Sequence, residues 1–566
     1  MAESNHSSYF FSLRVAMLSL AITTILFVPN RGMAATVYVD PTCSNNGDGT
    51  IGEPCAASRG APGPRNTWVG LKWTPGNTYA GQGGTISNLT RFIVEGSGTA
   101  GNPITITSYG TGRHVLNGNG SYAIAFINRS HITLDNVEVR SNAQHGVYFS
   151  NNASSRNLVI QNCYFANVVG NAVQFGESSR NTDFDNVAIV NNKFEGIGGA
   201  GIASTPFDIR SAQNWNNFTI ANNTFTNIGT SSTNSAIDFL MSGGTSATMT
   251  NLTITGNAIS QTNVGETSVA VPSIRLARSP IGSAAENRFS TVNVSDNTIT
   301  TTDMGMIYLA HARPPARIAN NTIYDLASNA AVAVFYSDGV EVSGNTIRNI
   351  APLAVSDYID GAGLDLEVNS NLSVHGNTIT GNLGHASRVN SGQGIYAYND
   401  RGSLVFSNLL VGNKLGIMSD AGVSMTTFAN NTIVNSIKYG IWASPFAAYA
   451  HWFVNNVITG SGEYGIFTVG KTDQMLTTNL FFGNTSGNYG SQIGGASDLT
   501  VDPLYMGSEN FELKAASSAV RAGTWWGSSC IDLRGRPCIQ GRMALGAYQP
   551  TQDVTSPGVP AGLKAQ

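Results

Sequence analysis

The chain runs to 566 residues with a formal net charge of -4 and only 11% charged residues, so it offers neither the basic surface that nucleic acid needs nor an acidic solvating tail. Its length allows several domains unless a repeat array spends it on one elongated body, and the repeats decide for one body. The 63 glycines, against ~7% in an average protein, join abundant Asn, Thr and Ser in favouring many short strands linked by tight turns.

At the start, Arg14 precedes an apolar run from Val15 to Val28, and small residues follow at Gly32, Ala34 and Ala35. Residues 1–35 therefore have the form of a secretory signal peptide, cut after Ala34 or Ala35. The run is shorter than the ~20 residues of a membrane-spanning helix. Export is expected, to the extracellular space or periplasm, with no membrane span after cleavage. The five cysteines fit an oxidising compartment: Cys43 and Cys55 bracket a Gly-rich loop, Cys530 and Cys538 bracket I-D-L-R-G-R-P, and each pair is a candidate local disulfide. Cys163, left over in V-I-Q-N-C-Y-F, reads as a buried and inert thiol.

From about residue 130 one phrase returns: a short apolar strand, an Asn pair or Gly-Asn, a second strand, then Gly-Ile and a third strand. F-T-I-A-N-N-T-F, V-E-V-S-G-N-T-I and T-T-F-A-N-N-T-I are examples. One Asn per copy (Asn136, Asn162, Asn192, Asn223, Asn257, Asn297, Asn321, Asn345, Asn377, Asn408, Asn431, Asn456 and Asn479) gives steps with a floor of 23 to 26 residues and a longest step of 40. That is one coil with inserted loops. Short strands without helical periodicity make it an all-β solenoid, a parallel β-helix. The Leu pattern of leucine-rich repeats is missing, and each unit is too short for a propeller blade. Asn suits the left-handed backbone of a tight bend, and its amide can bond to the equivalent Asn one coil away. Sequons such as Asn222-Asn223-Thr224 follow from the same repeat and carry no expectation of glycosylation.

T-V-Y-V-D-P-T-C-S-N-N-G-D-G-T near the start, and V-D-P-L-Y, F-E-L-K-A-A-S-S-A-V-R-A-G and L-G-A-Y near the end, resemble the opening and closing segments of secreted right-handed parallel β-helix proteins with the pectin-lyase-like fold. The resemblance covers nearly the whole mature chain. It implies an N-terminal cap and first coil over 36–103, the helix proper over 104–500, a C-terminal cap over 501–550 and a disordered tail over 551–566. It is silent about reaction, because such proteins include lyases, hydrolases, epimerases and non-catalytic surface proteins.

The third strand of each coil can be phased by its inward Ile, Val or Leu. The next residue then forms an outward column: Tyr148, Gln174, Ala203, Asp238, Arg275, Tyr308, Ala333, Asp365, Tyr396, Met418, Trp442 and Phe467. A parallel column two residues on contains Leu240, Ala277, Glu367, Tyr398 and Asp420. Insertions cluster beside this strand, which points to a groove from Asp238 to Trp442. In D-G-A-G-L-D-L-E the two carboxylates Asp365 and Glu367 share one face of a strand, expected to be exposed, with Cα atoms roughly 6.6 Å apart; Asp420 lies two coils on, roughly 10 Å away. Inverting glycosidases set their carboxyls ~6.5 to 9.5 Å apart and retaining ones ~5 to 5.5 Å, so Asp365, Glu367 and Asp420 are candidate catalytic residues, more easily of the inverting kind. Tyr396 and Tyr398 could stack on sugar rings, and Asp238, Arg275, Tyr308 and Trp442 complete the candidate substrate contacts.

The bland reading of these carboxylates is a solvated face or a calcium clamp, to which Asp357 and Asp360 in the preceding loop could contribute. No cofactor is otherwise called for. A lyase would instead draw on Arg275, Tyr308, His311 and Arg313, although an Arg in this column would commonly pair with a neighbouring carboxylate such as Asp238. The chain lacks the N-T-D, D-D, G-H-G and R-I-K blocks of polygalacturonases and the D-P-H motif of mannuronan epimerases, and His375 reads as a turn residue. The expectation is a secreted monomer acting on an extracellular polysaccharide, by hydrolysis, with a lyase and a non-catalytic glycan-binding or adhesive β-helix as alternatives.

Overall fold

The computed structural model describes residues 34–549 apart from 52–54, 143, 151–153, 177–182, 205–213, 231–233, 243–247, 262–271, 280–288, 302–304, 353–360, 445–450, 469–474, 492–493, 528–529 and 542. The leader before residue 34 and the tail from 551 thus lie outside the described residues. Each coil contributes one strand to each of three sheets, of 16, 15 and 15 strands in the order the chain visits them, and every strand pairs in parallel with its counterparts one coil before and after. One coil runs through Phe184–Val190, Lys193–Ile197 and Ile202–Ser204. The architecture is the expected right-handed parallel β-helix, a single solenoid.

The alternation of the sequence explains the stacking. On the first sheet Leu158, Val187, Phe218, Leu252 and Val292 pair in register from coil to coil, as do Ile160, Ile189, Ile220, Ile254 and Val294. All point into the core and are almost wholly buried. Like side chains therefore lie one coil apart, about 4.8 Å, close enough for aromatic rings to overlap. Phe165, Phe194 and Phe225 form such a column, with successive ring centroids 4.7 Å apart.

The bend between the first and second strands divides its work between two adjacent residues. The first is left-handed, as at Asn191, Asn222, Asp296, Asn320 and Asn430 with φ between 51° and 58°. The second turns its amide inward. From Asn192 to Asn479, the backbone N–H and Nδ2 of each inner Asn donate to Oδ1 of the next, at 2.9–3.0 Å for the Asn192–Asn223 rung, and the stack closes on Asp498. Asn136 and Asn162 do not belong to it. They are the left-handed residues of their bends, and the inner positions there are Val137 and Cys163, whose N–H donates to Asn192 Oδ1 at 2.9 Å. Cys163 is buried and free, its thiol pushed up to about 12 chiefly by burial.

Both ends are covered. Thr36–Val39 pairs with Thr78–Gln82, and between them Cys43–Cys55 closes a disulfide while Trp68 packs on Phe92 and bonds to Ser87 and His114. At the other end Leu499 adds a bridge to Leu480. The chain then turns back along the flank of the Asn bend: Trp526 Nε1 donates to Asn430 Oδ1 at 2.8 Å, Gly546 N to Asn455 O at 2.8 Å, and Ala547 N to Thr432 Oγ1 at 2.8 Å. The Cys530–Cys538 disulfide lies within this segment.

Candidate functional site

The third sheet holds the phased column without a slip. Asp238, Arg275, Tyr308, Ala333, Asp365, Tyr396, Met418 and Trp442 are register partners in turn. Glu367 pairs with Tyr398, and Asp420 extends that second row, its N–H donating to Ala397 O at 2.9 Å.

The column is not an open surface. Asp365 is only 4% exposed and Tyr396 5%, with Tyr308, Met418 and Asp238 also buried. The expected exposed pair of carboxylates is thus corrected: Asp365 is covered and Glu367 half-buried. The reason lies in its neighbours, since two apolar clusters distinct from the solenoid core occupy this outer face. Met306, Tyr308, Ala310 and Ala333 pack with Leu240 and Phe335 on the coils before the carboxylates. Tyr396, Leu415 and Met418 pack with Tyr398, Tyr439 and Trp442 on the coils after. The carboxylate rung, on Ala362–Glu367, falls between them.

That position sets the electrostatics. Burial holds the Asp365 carboxyl well above the usual carboxylate range, and the charge of Glu367 pushes the same way. Burial also raises Glu367. Two neighbouring carboxyls in poor solvent cannot both ionise cheaply, and ionisation is disfavoured most at the more buried Asp365. Its Oδ1 has no hydrogen-bond partner among the described residues, although buried carboxyl oxygens are normally paired. The phenols of Tyr308 and Tyr396 are pushed up, by burial first and then by the surrounding acids. Tyr396 donates to Asp420 Oδ2 at 3.3 Å and Ala421 N to Asp420 Oδ1 at 2.8 Å. Asp420 is therefore engaged at both oxygens, and the covered Tyr396 ring has little face to offer a sugar. Tyr398 and Trp442 are half-buried, and Trp442 Nε1 lacks a partner among the described residues.

The basic candidates sit apart. Arg275 grips Asp238 through two parallel bonds of 2.8 and 2.5 Å, the bidentate pairing that fixes a guanidinium most firmly. His311 is left-handed at the bend after Ile307–Ala310, buried and stacked on Tyr336 at 5.3 Å. Arg313 is exposed on the first sheet, so Arg275, Tyr308, His311 and Arg313 do not form one constellation. His375 stacks on Phe406 and lies 3.4 Å from Glu341 on the first sheet. Asp357 and Asp360 lie outside the described residues. Among the described residues the one grouping of three metal-ligating side chains is Asp40 with Cys43 and Cys55, and those two sulfurs are joined to each other.

A family model described as "Right handed beta helix region" matches residues 79–214, 187–389 and 287–482. No curated protein matches the chain. Solved structures similar to it include an alginate lyase from a Paenibacillus species (15% identity, 57% of this chain and 91% of that one, TM-score 0.28) and a lacto-N-biosidase from Eubacterium ramulus (12%, 82% and 68%, TM-score 0.29). A further one is an alginate lyase in complex with a trisaccharide (13%, 85% and 90%, TM-score 0.37). The family matches together span 79–482, well over half the chain, and the protein belongs to the right-handed β-helix family.

Proposed function

We propose that this is an exported glycoside hydrolase acting on a neutral extracellular polysaccharide, with Asp365 as general acid and Glu367 as its partner carboxylate. The observation that carries the reading is a pair of carboxyls on one strand with divergent surroundings, Asp365 buried and Glu367 half-exposed. Environments that push two such groups apart assign acid and base. Asp365 would be the group that gives its proton to the glycosidic oxygen. Glu367, the better solvated, would activate water or attack the sugar. The two lie on one strand with Cα atoms roughly 6.6 Å apart, and the inverting reaction, which leaves room for a water between its carboxyls, is the one proposed. Asp420 remains the other possible partner, steadied by Tyr396. Tyr398 and Trp442, half-buried beside the rung, are the aromatic surfaces proposed to meet sugar rings.

Charge favours hydrolysis over elimination. A lyase needs a cation or metal to neutralise a uronate carboxylate and a base to take the adjacent proton, and among the described residues no basic side chain pairs with Asp365 or Glu367. Arg275 is already committed to Asp238. Export is supported by the leader's pattern and by the two disulfides, which persist in oxidising compartments. Among the described residues no helix is long and apolar enough to cross a membrane.

The test is to incubate the purified protein with neutral and uronate-containing glycans, following reducing ends and the ultraviolet absorbance of unsaturated uronates together. Reducing ends alone, released from a neutral glycan, are the expected result. New absorbance would mean elimination and overturn the hydrolase, and binding without either signal would favour a non-catalytic role.

A further inference from the structure

The outer face of the first sheet carries a trough that is separate from the carboxylate rung. Its strands are kinked at one phase, where Asn157, Asn186, Asn217, Asn251 and Thr291 are register neighbours with φ of 53–57°. The next two coils place Pro314–Pro315 and Gly339 there. A left-handed residue inside a strand bends it, and one recurs on six of these seven coils, with Pro314–Pro315 on the other. Two hollows of about 490 and 530 Å³ lie along these coils and adjoin at Asn251 and Thr253. Seven coils span six intervals, roughly 29 Å.

The lining is neutral and open to solvent. Asn186 Nδ2 donates to Asn157 Oδ1 at 3.1 Å and Asn251 Nδ2 to Asn216 Oδ1 at 2.8 Å. Asp185, the carboxylate beside them, already accepts from the amides of Asn216 and Asn217 at 3.0 Å each. An amide has two donors and two acceptor lone pairs, so these bonds orient each Asn and leave hydrogen-bonding capacity facing outward. Two residues beyond each kink runs the row Val159, Ala188, Thr219, Thr253 and Asn293, mixing hydroxyl and amide with small apolar patches. Charge returns only at the far end, with Arg317 and Glu341.

We propose that this trough binds one extended chain of a neutral glycan, as a surface independent of the third sheet. A linear channel selects an elongated ligand. Amides and hydroxyls repeated at the coil spacing match sugar hydroxyls, and Val159, Ala188 and Pro314–Pro315 match the C–H faces of the rings. The residues lining the first five coils include no cation to meet a polyuronate, so a neutral chain is the expected ligand.

The full mature chain can be tested by affinity electrophoresis in gels containing a soluble β-glucan, galactomannan, alginate or polygalacturonate. Retardation by a neutral polymer is expected. Thr253→Trp, which fills the point common to both hollows, should weaken it at least tenfold, and Asn217→Gly, which keeps the left-handed backbone and removes an amide, about threefold. Circular dichroism and melting of both variants establish that they fold. The proposal is overturned if no neutral polymer retards the protein, or if a uronate polymer binds better. It is equally overturned if folded Thr253→Trp and Asn217→Gly both bind normally.

Discussion

The asparagine stack at the first bend and the carboxylate rung on the third sheet both hold polar side chains away from water, but they treat them differently. In the stack every amide is used. Asn223 accepts from the backbone and side chain of Asn192 and donates to Ile189 O at 2.8 Å and Asn257 Oδ1 at 3.0 Å. In the rung Asp365 is as buried, yet Oδ1 is unpaired among the described residues and Glu367 opposes its ionisation. Satisfied polar columns specify a fold, whereas a costly, unsatisfied group survives where something other than stability retains it. The contrast separates the part of the molecule that holds the coils together from the part proposed to act on a substrate.

Asp365→Asn tests it most severely. Loss of a general acid should lower turnover by about 10²–10⁴-fold, read as reducing ends. The same change should leave stability intact or raise it, because of the sign of the titration. A carboxyl whose folded value is raised stabilises the fold fully below its unfolded value, and that contribution is lost as pH rises through the folded one. Wild-type melting temperature should therefore fall as pH climbs above about 4, and Asp365→Asn should flatten that slope. A variant both active and less stable would return Asp365 to the structural class. Next in size is Asn223→Ala, which strands the N–H and Nδ2 of Asn192 and the carbonyl of Ile189. With buried orphans at about 1–3 kcal/mol each, a loss of about 3 kcal/mol is expected from urea unfolding.

The sequence reveals the ladder of coils more fully than the surroundings of the site. The twelve-residue column was phased from Gly-Ile patterns, and the structure keeps it in register because each inward Ile, Val or Leu fixes the parity of its strand. What phasing cannot supply is the packing around the column. Whether Asp365 is open or covered depends on Tyr308, Ala333, Tyr396 and Met418, which lie 31 or more residues away along the chain and meet it only once coiled. The Asn pairs were read as one feature because both halves are the same residue type. Backbone φ and hydrogen bonds distinguish Asn222, which turns the chain, from Asn223, which faces inward. The trough on the first sheet did leave a trace, in R-N-L-V-I, D-N-V-A-I, N-N-F-T-I and T-N-L-T-I. An Asn two residues before the outward position recurs there, but the stronger Asn-Asn signal at the bend obscures it.

Two smaller effects sharpen the same contrast. Asp400 follows the left-handed Asn399 after Gln393–Tyr398, just as Asn369 follows the left-handed Val368 after Ala362–Glu367. Asn369 is a satisfied ladder residue, accepting from Ser337 N at 3.0 Å and donating to Val334 O at 2.8 Å. Asp400 is fully buried, and burial pushes its carboxyl up to about 7. Its stabilising contribution is complete below about 4 and is lost as pH rises towards about 7. Asp400→Asn should raise stability at pH 8 by about 2–3 kcal/mol and change little at pH 4; equal effects at both pH values would remove the titration from the explanation. The smallest expected change is Asn222→Gly, one residue from Asn223. Asn222 holds φ at 55°, a conformation glycine adopts freely, and its side chain is exposed. A cost of under about 0.5 kcal/mol is expected. A loss approaching that of Asn223→Ala would mean that turning and stacking are shared across the pair, and the division of labour at the bend would have to be abandoned.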